Sequence, residues 1–140
     1  MIHLKLVTLS GIKFDGEAYE VSLPTMDGQI TVLSDHMPLI SAATNGVISI
    51  RKNPKDPEST MEHFATHGGV IEIADNNVRI IVDEADSGDE INESDAKKAL
   101  ELAVKMKNEA KDQISLEKAQ QMIDRSNIRI QVAELKRRRR

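Results

Sequence analysis

The spacing of apolar residues changes once along this chain, and that change limits what the chain can fold into. Up to about residue 85 the period is two, in short β-branched-rich runs at residues 2–9, 17–23, 29–33, 47–51, 61–66, 70–74 and 78–82. Ile48 and Ile50, for example, alternate with Val47, Ser49 and Arg51. Turn chemistry divides the runs at Ser10-Gly11, Asp27-Gly28, Asn45-Gly46, Gly68-Gly69 and Asp75-Asn76-Asn77. Short strands at this spacing, with no helical pattern between them, predict an antiparallel sandwich or barrel over residues 1–85, and no parallel βαβ unit fits.

Beyond residue 85 the grammar is helical. Asn92 is placed to cap a helix whose first turn holds Glu93 and Asp95, suited to the positive end of the helix dipole. Ala96, Ala99, Leu100, Ala103, Met106 and Ala110 then recur at three-and-four spacing. After a lapse at residues 111–115, Ser115 is placed to cap a second helix of about 22 residues, roughly 33 Å long. Residues 86–140 therefore read as a helical hairpin. Its alanine-rich face allows close approach but supplies little buried area, so the hairpin is weakly held.

The second helix has two apolar stripes. Ala119, Met122, Ile123, Ser126, Ile130 and Ala133 fall on one face, as a hairpin partner requires, whereas Ile128, Val132 and Leu135 fall on another. A basic row of Lys118, Arg125, Arg129, Lys136 and Arg140 runs between them. One partner cannot cover both stripes. Either the second packs on the sandwich or on an oligomeric neighbour, or the helix uses different faces in different states.

Charge follows the same division. Residues 1–85 carry 6 basic and 12 acidic side chains, while residues 86–140 carry 13 and 11. The acidic stretch at residues 83–90 reads as a solvated linker. As an EF-hand loop it fails, since Ala85 and Ser94 would stand where ligands are needed.

Most chemistries are excluded by composition and spacing. Cysteine is absent, which removes disulfides, thiolate metal sites and cysteine nucleophiles. His63 and His67 are four apart, about 13 Å along a strand and too far for one metal ion. Neither a P-loop nor a G-x-G-x-x-G pattern occurs. No apolar run approaches the roughly 18 residues of a membrane span, and the alternating N-terminus reads as that of a mature, intracellular chain. Residues 136–140 could attract polyanions, so an adaptor binding nucleic acid through this basic tail is the alternative reading. Against it, residues 65–140 offer no aromatic ring for base stacking, and an acidic protein surface is the better target.

Two segments carry a family resemblance. Gly28-Gln29-Ile30-Thr31-Val32-Leu33-Ser34-Asp35-His36-Met37-Pro38-Leu39 is similar to G-x-x-G-I-L-P-G-H-x-P-L of the epsilon subunit of bacterial F-type ATP synthases. Gly68-Gly69-Val70-Ile71-Glu72-Ile73, followed by residues 77–85, resembles the same family's G-G-x-x-E-V and N-x-V-x-x-L-A-D-x-A. With a hairpin behind them, they imply a β-sandwich of about ten strands and a two-helix C-terminal hairpin.

The resemblance implies a subunit that is not catalytic by itself and holds no cofactor or metal. Its sandwich would join the gamma subunit to the c ring, turning with the rotor of a proton- or sodium-translocating ATP synthase. The complex would place it, peripherally, on the cytoplasmic face of the bacterial plasma membrane, with no nucleic acid involved. Gln29 and His36 match positions of the family's c-ring and gamma contact. Arg125, Arg129 and Lys136 match basic residues that face an acidic segment of the catalytic alpha/beta head when an extended hairpin inhibits ATP hydrolysis. Some relatives bind ATP through a motif of Ile or Leu followed by Asp-x-x-Arg-Ala. Here Ile91, Asn92, Asp95 and Ala96 occupy it, with Asp95 in place of the phosphate-facing Arg. Two like charges at about 4 Å and an effective dielectric near 20 repel by roughly 4 kcal/mol. ATP is expected not to bind.

Overall fold

A computed structural model describes residues 1–138. Among these, ten strands form two five-stranded sheets, followed by two helices. The first sheet has the order β2-β1-β9-β8-β5, from Gly11–Ala18, Ile2–Thr8, Asn77–Ile81, Val70–Ala74 and Leu39–Ala42. The second has the order β10-β7-β6-β3-β4, from Glu84–Ser87, Glu62–His67, Gly46–Arg51, Glu20–Thr25 and Gly28–Val32. Helix α1 spans Glu93–Glu109 and α2 spans Gln113–Arg137. Arg140 of the expected basic row lies outside the described residues.

Alternation puts the core between the sheets. In β1, Ile2, Leu4 and Leu6 are buried while His3 is exposed. Ile71 and Ile73 of β8, Ile80 of β9, Leu23 of β3 and Ile48 and Ile50 of β6 meet them in one cluster. Gly69 is fixed by sterics. Its φ is +129°, and a Cβ there would stand 2.1 Å from the Ile81 carbonyl oxygen.

Differences from the expected strands have common causes. Strand β2 runs Gly11–Ala18 on a sheet edge with half its residues exposed and only Ala18 buried, so it shows no apolar alternation. The run expected at residues 17–23 is instead the end of β2 and the start of β3, divided at Tyr19. Strand β5 has four residues on the other edge of that sheet. One pair, β1 with β9, is parallel. The chain crosses the second sheet between them, so no βαβ unit is involved.

The acidic stretch is not a solvated linker. Residues 84–87 form β10, paired antiparallel with β7 from Glu84 opposite His67 to Ser87 opposite Phe64. A single 3-10 turn at Gly88–Glu90 follows, closed by a capping box between Ser87 and Glu90. Asn92 caps α1, its side chain accepting from the Asp95 N–H at 3.0 Å. The cap of α2 is Asp112, not Ser115. The Asp112 carboxylate accepts from the Ser115 N–H at 2.7 Å, which starts the helix earlier and holds that carboxyl below its usual range through the Ser115 hydroxyl and N–H.

The helices close on small residues. Ala96 and Ala103 of α1 and Ala119, Ser126 and Ala133 of α2 are buried, each set at seven-residue spacing. The other stripe of α2 meets the sandwich through Val132 and Ile128, which pack with Ala65, Val47 and Ile91, and Ala133 of the first stripe joins the same cluster. In this folded state each stripe has its own partner.

Candidate functional site

Three surfaces can bind a partner: the seam between α2 and β10, the ends of the sandwich, and the outer face of the first sheet. The seam is built by matched periods. Alternate residues of β10 point to one side, and residues four apart on α2 share a face. Arg125 Nη2 therefore reaches Glu84 Oε2 at 2.9 Å, and Arg129 pairs with Asp86. Lys136 pairs with Asp89 in the turn beyond, and Arg137 Nη1 lies 3.0 Å from Glu93 Oε2 at the start of α1. Gly88 lets α2 pass, since a Cβ there would stand 2.9 Å from Lys136 Cβ.

Arg125, Arg129 and Lys136 are thus brought together, and each meets an acidic residue of its own chain. Glu84, Asp86 and Asp89 are the residues that sequence reasoning missed. Their signal was present as acids two apart in the stretch before a helix carrying cations four apart. A cleft of about 310 Å³ opens beside the seam, lined by Lys13, Glu62, His63, Asp89, Glu90 and Lys136 among others. Its amines already face carboxylates, with Lys13 Nζ 2.8 Å from Glu90 Oε2. Lys13, and next the Ser87 N–H, hold the Glu90 carboxyl below its ordinary range. His63 Nδ1 shares a hydrogen bond with Ser49 Oγ at 2.8 Å across β6 and β7.

The segment that matches a nucleotide motif serves the fold here. Ile91 is buried under α2, Asn92 caps α1 and Ala96 lies in the seam between the helices. Asp95 stands exposed in the first turn of α1.

Gln29 and His36 do not come together. Gln29 is exposed on β4 opposite Pro24, near the Thr25–Gly28 turn. His36 lies past the other end of β4, where the Asp35 N–H donates to Asn76 Oδ1 at 2.6 Å in the β8–β9 turn. The Gln29 end carries exposed Met26, and the His36 end carries exposed Met37.

The outer face of the first sheet carries an apolar row. Register places Ala42, Val70, Ile81, Val7 and Ile12 side by side across its five strands, and Val70, Ile81 and Ile12 are substantially exposed. Next to it Ile40, Glu72, Arg79, Lys5 and Asp15 form a mostly charged row.

A family described as ATP synthase, Delta/Epsilon chain, beta-sandwich domain matches residues 1–88. The ATP synthase epsilon chain of Gloeobacter violaceus is 31% identical over 132 residues, covering 94% of this chain and 96% of that protein. A chloroplastic ATP synthase epsilon chain from Cucumis sativus is 37% identical over 102 residues, 73% of each. Among solved structures, a chain in the Euglena gracilis mitochondrial ATP synthase assembly of OSCP, F1 and c ring superposes with a TM-score of 0.79 at 20% identity. The overlap covers 90% of this chain and 77% of that one, a likeness of fold.

Proposed function

The chain belongs to the ATP synthase delta/epsilon family, and from that premise we propose that it joins the gamma subunit to the c ring and restrains ATP hydrolysis through its hairpin. It is a stalk subunit of the synthase and not catalytic by itself. No helix among the described residues is long and apolar enough to cross a membrane, and in this reading membrane association comes through the complex. In this reading that association is on the cytoplasmic face of a bacterial membrane.

The sandwich offers what a stalk contact needs. Its apolar row across five strands fits a protein partner such as gamma. Its ends present Gln29 and His36 separately, so one faces the c ring and the other a different neighbour. The hairpin offers a basic row, Arg125, Arg129 and Lys136, for the acidic segment of the alpha/beta head. Asp95 stands where a phosphate-binding Arg would be needed, and ATP is not a ligand of the folded hairpin. The nucleic-acid reading is the less favoured one, because Lys136 and Arg137 of the tail it relies on pair with Asp89 and Glu93 of the same chain.

One observation carries the regulatory half: the hairpin is attached through small side chains and ion pairs, a seam that can be exchanged for another. Truncating the chain after Gly88 in the assembled enzyme is expected to preserve assembly and raise ATP hydrolysis. Unchanged hydrolysis in an intact, truncated complex removes the inhibitory role and leaves the stalk role.

A further inference from the structure

Strand and helix meet at the seam with nearly equal pitch. Glu84 and Asp86 are two residues apart on β10, about 6.6 Å. Arg125 and Arg129 are four apart on α2, about 6 Å. Each carboxylate therefore faces one guanidinium without bending either element, and Asp89 extends the ladder to Lys136.

We infer that the acidic strip of Glu84, Asp86 and Asp89 is an internal competitor for the basic row of α2, occupying in cis the cations that a partner's acidic segment would take in trans. This rests on the reading of the hairpin as a displaceable arm and names what holds it. Release of α2 is then an exchange of carboxylates, which avoids stranding three cations without partners. It also sets the partner's chemistry. A competing segment must present carboxylates about 6 Å apart, as acids at i and i+4 of a helix or at alternate positions of a strand do. The rungs are unequal. The side chains of Arg129 and Asp86 are 25% and 27% exposed, whereas that of Asp89 is 82% exposed, so salt screens the Asp89 rung most readily and substitution there costs least. Apolar contacts alone hold the seam weakly, because Val132 is the one large side chain of the hairpin among those fully buried in the described residues.

The absence of cysteine makes the test direct. Asp27→Cys on the sandwich and Lys111→Cys between the helices give a spin-label pair on the full chain. At about 0.05 M salt one docked distance is expected, with an undocked population growing toward about 0.5 M. Combining Glu84→Gln, Asp86→Asn and Asp89→Asn should lower the docked-to-undocked ratio about threefold or more. An unchanged distance distribution in a variant whose sandwich is folded by circular dichroism overturns the proposal. Exchanging charges, with Glu84→Arg and Asp86→Arg beside Arg125→Glu and Arg129→Glu, should restore docking, and failure to restore it also overturns the proposal. A synthetic helical peptide with Glu at i and i+4 should open the unmodified chain and not the exchanged one. Equal opening of both counts against the competition. In the assembled enzyme the exchanged chain separates the two readings. Restored docking with unchanged ATP hydrolysis retires the inhibitory role and leaves the competitor in place.

Discussion

The sandwich and the hairpin belong to one chain, yet they are held by different physics. Of the twelve largest fully buried side chains among the described residues, eleven lie in the sandwich and one, Val132, lies in the hairpin. The hairpin buries mainly alanine and serine between its helices and leaves Leu102, Val104, Met106 and Ile114 substantially exposed. Burial of a Leu or Ile contributes roughly 1.5–3 kcal/mol, and an alanine far less. A sandwich built this way is a fixed body. A hairpin built this way stays helical through its own caps and periodicity while its attachment remains cheap to break.

The largest effect that tests this contrast is a cavity in the sandwich. Ile50 is fully buried on β6, which lies between β3 and β7. Ile50→Ala is expected to cost about 2–5 kcal/mol in urea unfolding. Leu102→Ala, on a 55%-exposed position of α1, should stay within about 0.5 kcal/mol. Comparable losses from the two changes would break the contrast.

Overpacking the hairpin comes next. Ala103 is fully buried, and Ala103→Leu inserts volume between helices that close only because their facing residues are small. The expected cost is about 1–3 kcal/mol, read as earlier melting of the helical circular dichroism signal with the sandwich transition unmoved. Val132→Ala at the seam should cost about 1–2 kcal/mol. Its signature is faster amide exchange in β10 and α2 with β1 and β9 unaffected. Equal acceleration across both sheets would mean that hairpin and sandwich unfold as one unit.

How much of this was legible in sequence depended on whether a position is apolar. Strands that bury every second residue, such as β1, β6, β8 and β9, declare themselves by alternation. Of the four edge strands β4 did so as well, whereas β2, β5 and β10 did not. Gly11–Ala18 is held by its ladder to β1, and Glu84–Ser87 by its ladder to β7, with side chains that read as loop or linker. The two stripes of α2 were visible on a helical wheel, and so was the basic row. What the row would touch was hidden. Glu84 and Asp86 become its partners only after β7 positions β10, a pairing with no local signature. The same reason separates Gln29 from His36. Seven residues apart in sequence, they are carried to opposite ends of β4 by the strand between them.

The smallest effect is a pH dependence at the root of the hairpin. Glu90 ends the turn before α1, and its carboxylate takes Lys13 Nζ from β2 at 2.8 Å and the Ser87 N–H at 3.1 Å. Lys13 first, and then the Ser87 N–H, lower the Glu90 pKa from its ordinary 4.5, so the folded chain favours the ionised form. The stabilisation is therefore full above the unfolded value and is lost as pH falls through the lower folded one. Because the Glu90 side chain is 44% exposed, screening keeps the contribution under about 1 kcal/mol. Urea unfolding of the unmodified chain and of Glu90→Gln should differ by that amount near neutral pH and converge in acid below the folded pKa. A difference that persists undiminished there would assign the role of Glu90 to its hydrogen bond with Ser87, which Gln keeps in part, and not to the charge of Lys13. The root of the hairpin would then be held as the sandwich is, by packing and backbone, and the seam between α2 and β10 would be left as the place where charge sets the attachment.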